Sequence, residues 1–279
     1  MISFNTFFDQ DLKEGVYDPG ILKAFFTAGG PGSGKSYVTG RAGLGKFSPM
    51  GVKIVNSDAQ YEKLLTDAGI AMTPENIFSP KGQEIRGRAK ELTKAMQSGY
   101  IAGRLGLLID GTGKDYEKIQ LTSNSLRKIG YDTYMIFINT SLDVAQQRNA
   151  ERARSLDEKQ VTKMWNAVQQ NIGKFQRHFG RKNMILIDNN DVGQSIIDDL
   201  YVQVKKIISD PVRNTIGLKW IENELEKKEK IMIPIKYIVG VFILYLVGIN
   251  DGNIILASIE IGFALTLLEM IDGNTPRGT

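Results

Sequence analysis

The chain has 279 residues, of which 42% are hydrophobic and 24% charged, an ordinary globular composition. Its formal net charge of +4 is well short of that of a protein that coats nucleic acid, although it suits an enzyme that holds polyphosphates. The absence of cysteine excludes disulfides, thiolate zinc sites and cysteine nucleophiles, and it is compatible with an intracellular, reducing compartment. The first residues carry no basic segment followed by an apolar stretch, so no secretory signal is expected.

Short apolar segments alternate with helical ones along the chain as far as residue 210. The apolar segments predict strands over residues 21–27, 52–55, 107–109, 134–138 and 184–187. Helical composition covers residues 81–104, 142–152, 157–179 and 192–208. Because strands that alternate with helices at this spacing form crossover units, we expect an α/β fold with a five-stranded, mostly parallel sheet covered on both faces.

A glycine-rich segment follows directly on the first predicted strand. It reads Gly29, Gly30, Pro31, Gly32, Ser33, Gly34, Lys35 and Ser36, which matches the phosphate-loop pattern G-x-x-x-x-G-K-[ST] in full. Glycines let the backbone turn tightly so that successive N–H groups point at phosphate oxygens. Lys35 offers a charge to the β- and γ-phosphates, and Ser36 offers a hydroxyl to Mg²⁺. The alternative is a glycine-rich turn that binds nothing, but the preceding strand and the helix-compatible segment that follows favour binding of ATP or GTP.

The third predicted strand ends in a carboxylate, Asp110. In phosphate-loop enzymes such an aspartate lies beside the loop and holds Mg²⁺ directly or through water. Many strands also end in aspartate because it favours turns. Next to a complete phosphate loop, the magnesium role is the better interpretation.

Asp58 lies just past the second predicted strand. A carboxylate there can face the γ-phosphate across the cleft and accept a proton from an acceptor hydroxyl. The alternative is an N-cap for a helix that begins near Ala59, and the two roles are compatible with each other.

Three arginines, Arg148, Arg152 and Arg154, follow the fourth predicted strand. Arg148 and Arg152 are four residues apart and therefore share a helix face. Guanidinium groups here can close over a triphosphate and neutralise the charge that develops in transfer, although a solvated basic face explains the spacing equally well. The guanine-binding pattern Asn-Lys-x-Asp is not supplied by residues 137–140, which favours ATP.

Taken together, the phosphate loop, Asp58, the turn over residues 110–112 and the arginines resemble the zeta-toxin and polynucleotide-kinase group of P-loop kinases, over residues 20–210. Their order is similar to that of phage-encoded zeta-toxin-like kinases. The resemblance implies an ATP-dependent kinase in which Asp58 is the general base and the arginine lid contacts ATP phosphates.

The same resemblance implies that Lys35 and Ser36 bind ATP and Mg²⁺. The group often carries an arginine three residues after the base, where this chain has Tyr61. Acceptors in the group include a nucleotide-sugar hydroxyl and the 5′-hydroxyl of nucleic acid, and the sequence does not choose between them. Basic residues before Asp110 either line an acceptor cleft or form a solvated helix face, which we favour; they are Lys81, Arg86, Arg88, Lys90 and Lys94. Trp165 fits the helical periodicity of its segment and is predicted to be a core residue.

Composition changes abruptly after residue 230, so we divide the chain into a kinase domain over 1–230 and an apolar helical hairpin over 231–279. Two apolar stretches, 231–249 and 254–271, flank a turn signal, and each approaches the roughly 20 residues that cross a bilayer. Basic flanks favour a hairpin inserted from the cytoplasmic side, whereas Glu260 near mid-bilayer costs about 2.5 kcal/mol or more. A soluble hairpin packed on the kinase or on a second copy is the alternative, and we favour membrane association.

The leading functional hypothesis is a cytoplasmic, ATP-dependent kinase, attached to the inner face of a membrane, that phosphorylates a hydroxyl of a nucleotide sugar, nucleotide or polynucleotide. The alternative is a nucleotide-dependent switch or assembly factor whose tail binds a membrane or a partner. The two differ in whether Asp58 is needed. The sequence does not indicate an oligomeric state.

Overall fold

The structure is a computed structural model that describes residues 15–44, 51–151, 156–191 and 193–230. The described residues fall into two units, one within residues 18–217 and one that contains residues 15–17 and 218–230. The first unit contains every predicted strand. The described helices include none long and apolar enough to cross a membrane, and the predicted hairpin over 231–271 lies outside the described residues.

Five parallel strands form one sheet. They are β1 (Lys23–Ala28), β2 (Val52–Val55), β3 (Gly106–Ile109), β4 (Asp132–Asn139) and β5 (Met184–Asp188). Their order across the sheet is β2-β3-β1-β4-β5, and every neighbouring pair is parallel. The predicted five-stranded parallel sheet is therefore confirmed, with strand limits within two residues of those expected.

Eight α-helices connect the strands or follow the last one within the described part of the first unit. They are α1 (Lys35–Thr39), α2 (Ser57–Asp67), α3 (Pro74–Phe78), α4 (Pro80–Ala102), α5 (Tyr116–Lys128), α6 (Leu142–Ala150), α7 (Glu158–Phe179) and α8 (Gln194–Ser209). A further helix covers residues 215–230. The sequence missed α5 because it is rich in Ser, Thr and Asn, which have low helix propensity. Its start is set instead by Asp115, whose side chain accepts from the Lys118 N–H.

Apolar side chains fill both faces of the sheet, because successive residues of a strand point to opposite sides. Phe25 of β1 belongs to a core that joins one face of the sheet to α1 and α8, with Val38 and Leu200. Phe26 points to the other face and meets Phe179 of α7 at a centroid distance of 5.7 Å. Because helices cover both faces of the sheet, β1 is buried along its whole length, and all of its residues except the first and the fifth are apolar.

The order of the strands creates a crevice at the carboxyl edge of the sheet. The chain leaves β1 for β2 on one side, and it leaves β3, the neighbour of β1, for β4 on the other side. In open parallel sheets, ligands bind at such a switch point, outside the carboxyl ends of the strands. The phosphate loop follows β1 and Asp110 follows β3, so both predicted motifs lie at this point.

A buried ion pair closes the opposite edge of the sheet. The Lys23 ammonium, only 1% exposed, donates to Asp132 Oδ2 at 3.2 Å and to the Pro211 carbonyl at 3.1 Å. Asp132 also accepts from the backbone N–H groups of Arg213 and Asn214. Burial lowers the pKa of Lys23, and the Asp132 carboxylate opposes that shift.

We expect Asp132→Asn to lower the free energy of unfolding by about 3 kcal/mol, because it leaves a buried ammonium without its counter-charge. Urea unfolding measures the change. Glu84→Gln is the matched control, since it breaks an ion pair with Lys81 whose side chains are 61% and 70% exposed and which contributes little. Equal effects of the two substitutions would contradict a stabilising role for the buried pair.

Candidate nucleotide-binding site

The phosphate loop is a compact, largely buried turn between β1 and α1. Residues 29–33 are buried, Lys35 is half-buried and Ser36 is exposed in the first turn of α1. The Lys35 ammonium reaches back across the loop and donates to the Gly29 carbonyl at 2.8 Å. This bond places the ammonium at the turn that is expected to surround the phosphates.

The loop lies so close to the rest of the fold that two of its positions accept only glycine. Gly32 and Gly34 both have φ near +78°, which L side chains rarely adopt. A Cβ on Gly32 would lie 2.2 Å from the Ala145 carbonyl oxygen of α6, and one on Gly34 would lie 2.6 Å from Asn189 Nδ2. The glycines therefore permit both the backbone turn and its close packing.

Trp165 of α7 supports the loop from another side. It is half-buried, its Cα lies 3.6 Å from where a Cβ of Gly30 would stand, and its Nε1 donates to the Thr140 carbonyl at 2.9 Å. The sequence predicted Trp165 as core only. The structure shows that it joins the phosphate loop to the end of β4.

Asp110 is held by one side chain from the end of each strand that flanks β3. Thr27 Oγ1 donates to Asp110 Oδ1 at 2.6 Å, and Asn56 Nδ2 donates to Asp110 Oδ2 at 2.9 Å. Thr27 in turn accepts from the Gly111 N–H at 3.1 Å, which fixes its hydroxyl proton toward the carboxylate. A carboxylate oriented in this way suits Mg²⁺, which takes oxygen ligands in strict geometry and is commonly held by one or two carboxylates plus substrate phosphates.

Thr27 and Asn56 were missed by the sequence analysis. Their signal is weak, since it consists of one polar side chain near the end of an apolar strand. Thr27 is 1% exposed, so its hydroxyl required a partner, but only the sheet order identifies that partner as Asp110.

Asp58 is exposed in the first turn of α2, and it is not the N-cap of that helix. The helix begins at Ser57 because Asn56, with an extended backbone, accepts from the Asp58 N–H at 2.7 Å through Oδ1. The N-cap interpretation of Asp58 is therefore wrong. Asn56 thus binds the Asp58 backbone through one side-chain atom and the Asp110 carboxylate through the other.

Arg148 lies on α6, and its guanidinium group contacts the turn after β5. Nη1 donates to the Asn189 carbonyl at 2.7 Å and Nη2 donates to the Asn190 carbonyl at 3.0 Å. Its predicted contact with phosphate stays a prediction. Arg152 and Arg154 lie outside the described residues.

Tyr61, which occupies the position where the resembling kinases often carry arginine, is 2% exposed between α2 and α4. The guanidinium carbon of Arg86 lies 4.7 Å from the centre of its ring. The other basic residues of α4 are exposed, as expected for a solvated face; they are Lys81, Arg88, Lys90 and Lys94. Arg86 alone of this set packs on α2.

A phosphate loop after β1, a carboxylate after the adjacent β3 and a fully parallel sheet define a P-loop nucleoside-triphosphate-binding protein. Residues 25–173, more than half of the chain, match the family model described as AAA domain, and the chain belongs to that family.

Several solved structures share the fold at low sequence identity. A gluconokinase from Sinorhizobium meliloti 1021 is 13% identical, with 67% of this chain and 94% of that one covered and a TM-score of 0.41. A shikimate kinase from Bacteroides thetaiotaomicron is 11% identical, with 67% and 98% covered and a TM-score of 0.42. The tunicamycin resistance protein of Deinococcus radiodurans is 17% identical, with 65% and 95% covered and a TM-score of 0.40. No curated protein matches the sequence.

We expect Thr27→Val to weaken ATP binding about tenfold in the presence of Mg²⁺, because Asp110, the expected magnesium ligand, loses a group that orients its carboxylate. Without Mg²⁺ the affinity should hardly change. Calorimetric titration with ATP, in Mg²⁺ and in EDTA, measures both values. Thr122→Val, a β-branched exchange of the same size on α5, is the matched control. Equal losses with and without Mg²⁺ would count against a metal role for Asp110.

Proposed function

We propose that the chain is a magnesium-dependent, zeta-toxin-like kinase that transfers the γ-phosphate of ATP to a hydroxyl of a nucleotide sugar, nucleotide or polynucleotide. The observation that carries the proposal is the pair of aspartates that Asn56 contacts, Asp110 at its carboxylate and Asp58 at its backbone N–H. One of them, Asp110, is held in place by two side chains, whereas the Asp58 side chain is exposed at the start of α2. A fixed carboxylate for the metal and an accessible one for the acceptor are what hydroxyl phosphorylation requires.

The residues around the phosphate loop support the donor half of the reaction. Lys35 and the loop N–H groups would bind the β- and γ-phosphates, and Ser36 with Asp110 would hold Mg²⁺. The metal supplies charge neutralisation when it is bound. Thr27 and Asn56 keep the Asp110 oxygens in a constant direction, so that no side-chain rearrangement is needed when substrate binds.

The position of Asp58 supports the part of the proposed reaction that involves the acceptor hydroxyl. Its carboxylate would accept the proton of the acceptor hydroxyl as that oxygen forms a bond to the γ-phosphorus, and ADP leaves with the electrons of the broken bond. Its side chain is available because Asn56 performs the helix capping. The first turn of α2 also favours the negative charge that the base must carry.

Tyr61 replaces the arginine that often holds substrate in the resembling kinases, and Arg86 approaches the same place from α4. A screen for transfer of ³²P from the γ-position of ATP to nucleotide sugars, nucleosides and 5′-hydroxyl oligonucleotides identifies the acceptor class.

In that assay we expect Asp58→Asn to lower kcat about 10² to 10⁴-fold while ATP affinity is kept, because it removes the proton acceptor and leaves the phosphate loop intact. Asp67→Asn, the same exchange at an exposed position at the other end of α2, should be neutral. Transfer that survives Asp58→Asn would rule out this base. Tight ATP binding with no transfer to any acceptor would instead favour the nucleotide-dependent switch.

We also propose, from the sequence of residues 231–271, that the apolar tail attaches the protein to the cytoplasmic face of a membrane. The support is two apolar stretches of near-spanning length with basic flanks. The full chain should sediment with membranes and require detergent for extraction, whereas a chain that ends at Lys230 should remain in the supernatant. Recovery of both proteins in detergent-free buffer would contradict membrane attachment.

A further inference from the structure

The turn after β5 is bonded to the middle of the phosphate loop by one buried side chain. Asn189 is 1% exposed, and its Nδ2 donates to the Ser33 carbonyl at 2.8 Å. Its backbone N–H donates to the Asn139 carbonyl at the end of β4, also at 2.8 Å. The side chain therefore joins the loop to the sheet at a point where solvent does not compete for the hydrogen bond.

This bond determines where the next N–H group of the loop points. The carbonyl of Ser33 and the N–H of Gly34 belong to one planar trans peptide, so they point in opposite directions. When Asn189 draws the Ser33 oxygen toward β5, the Gly34 N–H is turned to the other side of the peptide plane. In phosphate loops the N–H groups must converge on the phosphate oxygens, and this peptide is held in one orientation before any ligand binds.

Asn189 donates this bond although its side-chain oxygen has no partner in the part of the chain that the structure describes. The Oδ1 atom is buried and has no hydrogen bond among the described residues. An unpaired buried acceptor lowers stability, so an asparagine at this position is not explained by stability alone. A role in holding the loop explains the residue better, because its amide N–H donates to the Ser33 carbonyl.

Arg148 holds the turn that carries Asn189. Its planar guanidinium donates to two successive carbonyls, those of Asn189 and Asn190, in the bidentate geometry that Arg favours. The Asn190 side chain accepts from the Ser141 N–H at 2.7 Å at the start of α6. The turn is thereby hydrogen-bonded both to the residue that begins α6 and to Arg148 near its end.

We propose that Arg148 and Asn189 are positioning residues for the phosphate loop. Arg148 fixes the turn after β5, and through Asn189 the turn fixes the Ser33–Gly34 peptide that meets the phosphates. This inference rests on the proposed function only in taking ATP as the ligand. It gives Arg148 a structural role that does not require contact with the γ-phosphate, because each terminal nitrogen donates an N–H to a backbone carbonyl of the turn.

Asn189→Asp and Arg148→Met test the proposal by calorimetric binding of ATP and ADP to the full chain without acceptor. Asn189→Asp keeps the size of the side chain but removes the N–H that Ser33 accepts. We expect each substitution to weaken ATP and ADP binding alike, about tenfold, because both nucleotides place the same phosphates in the loop. A loss confined to ATP after Arg148→Met would overturn the proposal, since it would indicate direct contact with the γ-phosphate.

The double variant tests whether Arg148 acts on the loop through Asn189 or whether the two residues act independently. If Arg148 acts through Asn189, the double variant should bind ATP as tightly as the single variant that has the lower ATP affinity. A loss of affinity equal to the product of the two single losses would overturn the proposal that one residue acts through the other. The KM for ATP, measured by phosphate transfer or by ATP hydrolysis, should rise by the same factor with kcat little changed. A fall in kcat at unchanged KM would instead mean that the substitutions only reduce the folded fraction, and would also overturn the proposal.

Two exposed positions provide matched controls. Asn124→Asp and Arg177→Met make the same chemical changes on α5 and α7, away from the turn, and should leave both affinities unchanged. Because nucleotide binding is measured without an acceptor, these results are independent of whether an acceptor is ever found. Failure of the proposed kinase activity would appear as normal ATP binding with no transfer.

Discussion

The close packing of the phosphate loop is the constraint on which the rest of the site depends. The loop lies against the Ala145 carbonyl, the Asn189 amide and Trp165, which belong to α6, the turn after β5 and α7. Side chains larger than hydrogen at Gly32 or Gly34 would collide with these groups. The direction of the loop N–H groups is therefore determined by elements far along the chain, and the loop is preorganised in the sense that catalysis by electrostatic stabilisation requires.

The polar side chains at the two edges of the sheet have different roles. At the carboxyl edge, polar side chains such as Thr27, Asn56 and Asp110 bond to one another and leave oxygens available for ligands. At the amino edge, Lys23 and Asp132 are bonded to each other and to backbone groups of residues 211–214. The first arrangement directs charge toward a substrate, and the second neutralises charge inside the protein, where a substrate is not expected.

Asn56 connects the two halves of the proposed reaction. Through Oδ1 it begins α2 and so places Asp58, and through Nδ2 it orients Asp110. An aspartate could accept in the same way at the helix start but could not donate to a second carboxylate. The amide therefore serves both of its contacts, which a carboxylate would not.

The sequence by itself determined the parallel α/β class, the phosphate loop and the strand-end position of Asp110 and Asp58, because each is a local pattern of burial or spacing. It missed α5, whose start depends on a single capping bond from Asp115, and it assigned Asp58 a cap that Asn56 provides. Only the tertiary structure decided which side chains hold Asp110 and the phosphate loop in place. Thr27 and Asp110 are 83 residues apart, and Asn189 and Ser33 are 156 apart. A side chain whose partner lies so far along the chain has no periodicity or spacing to reveal it, since the strand order alone brings the two together.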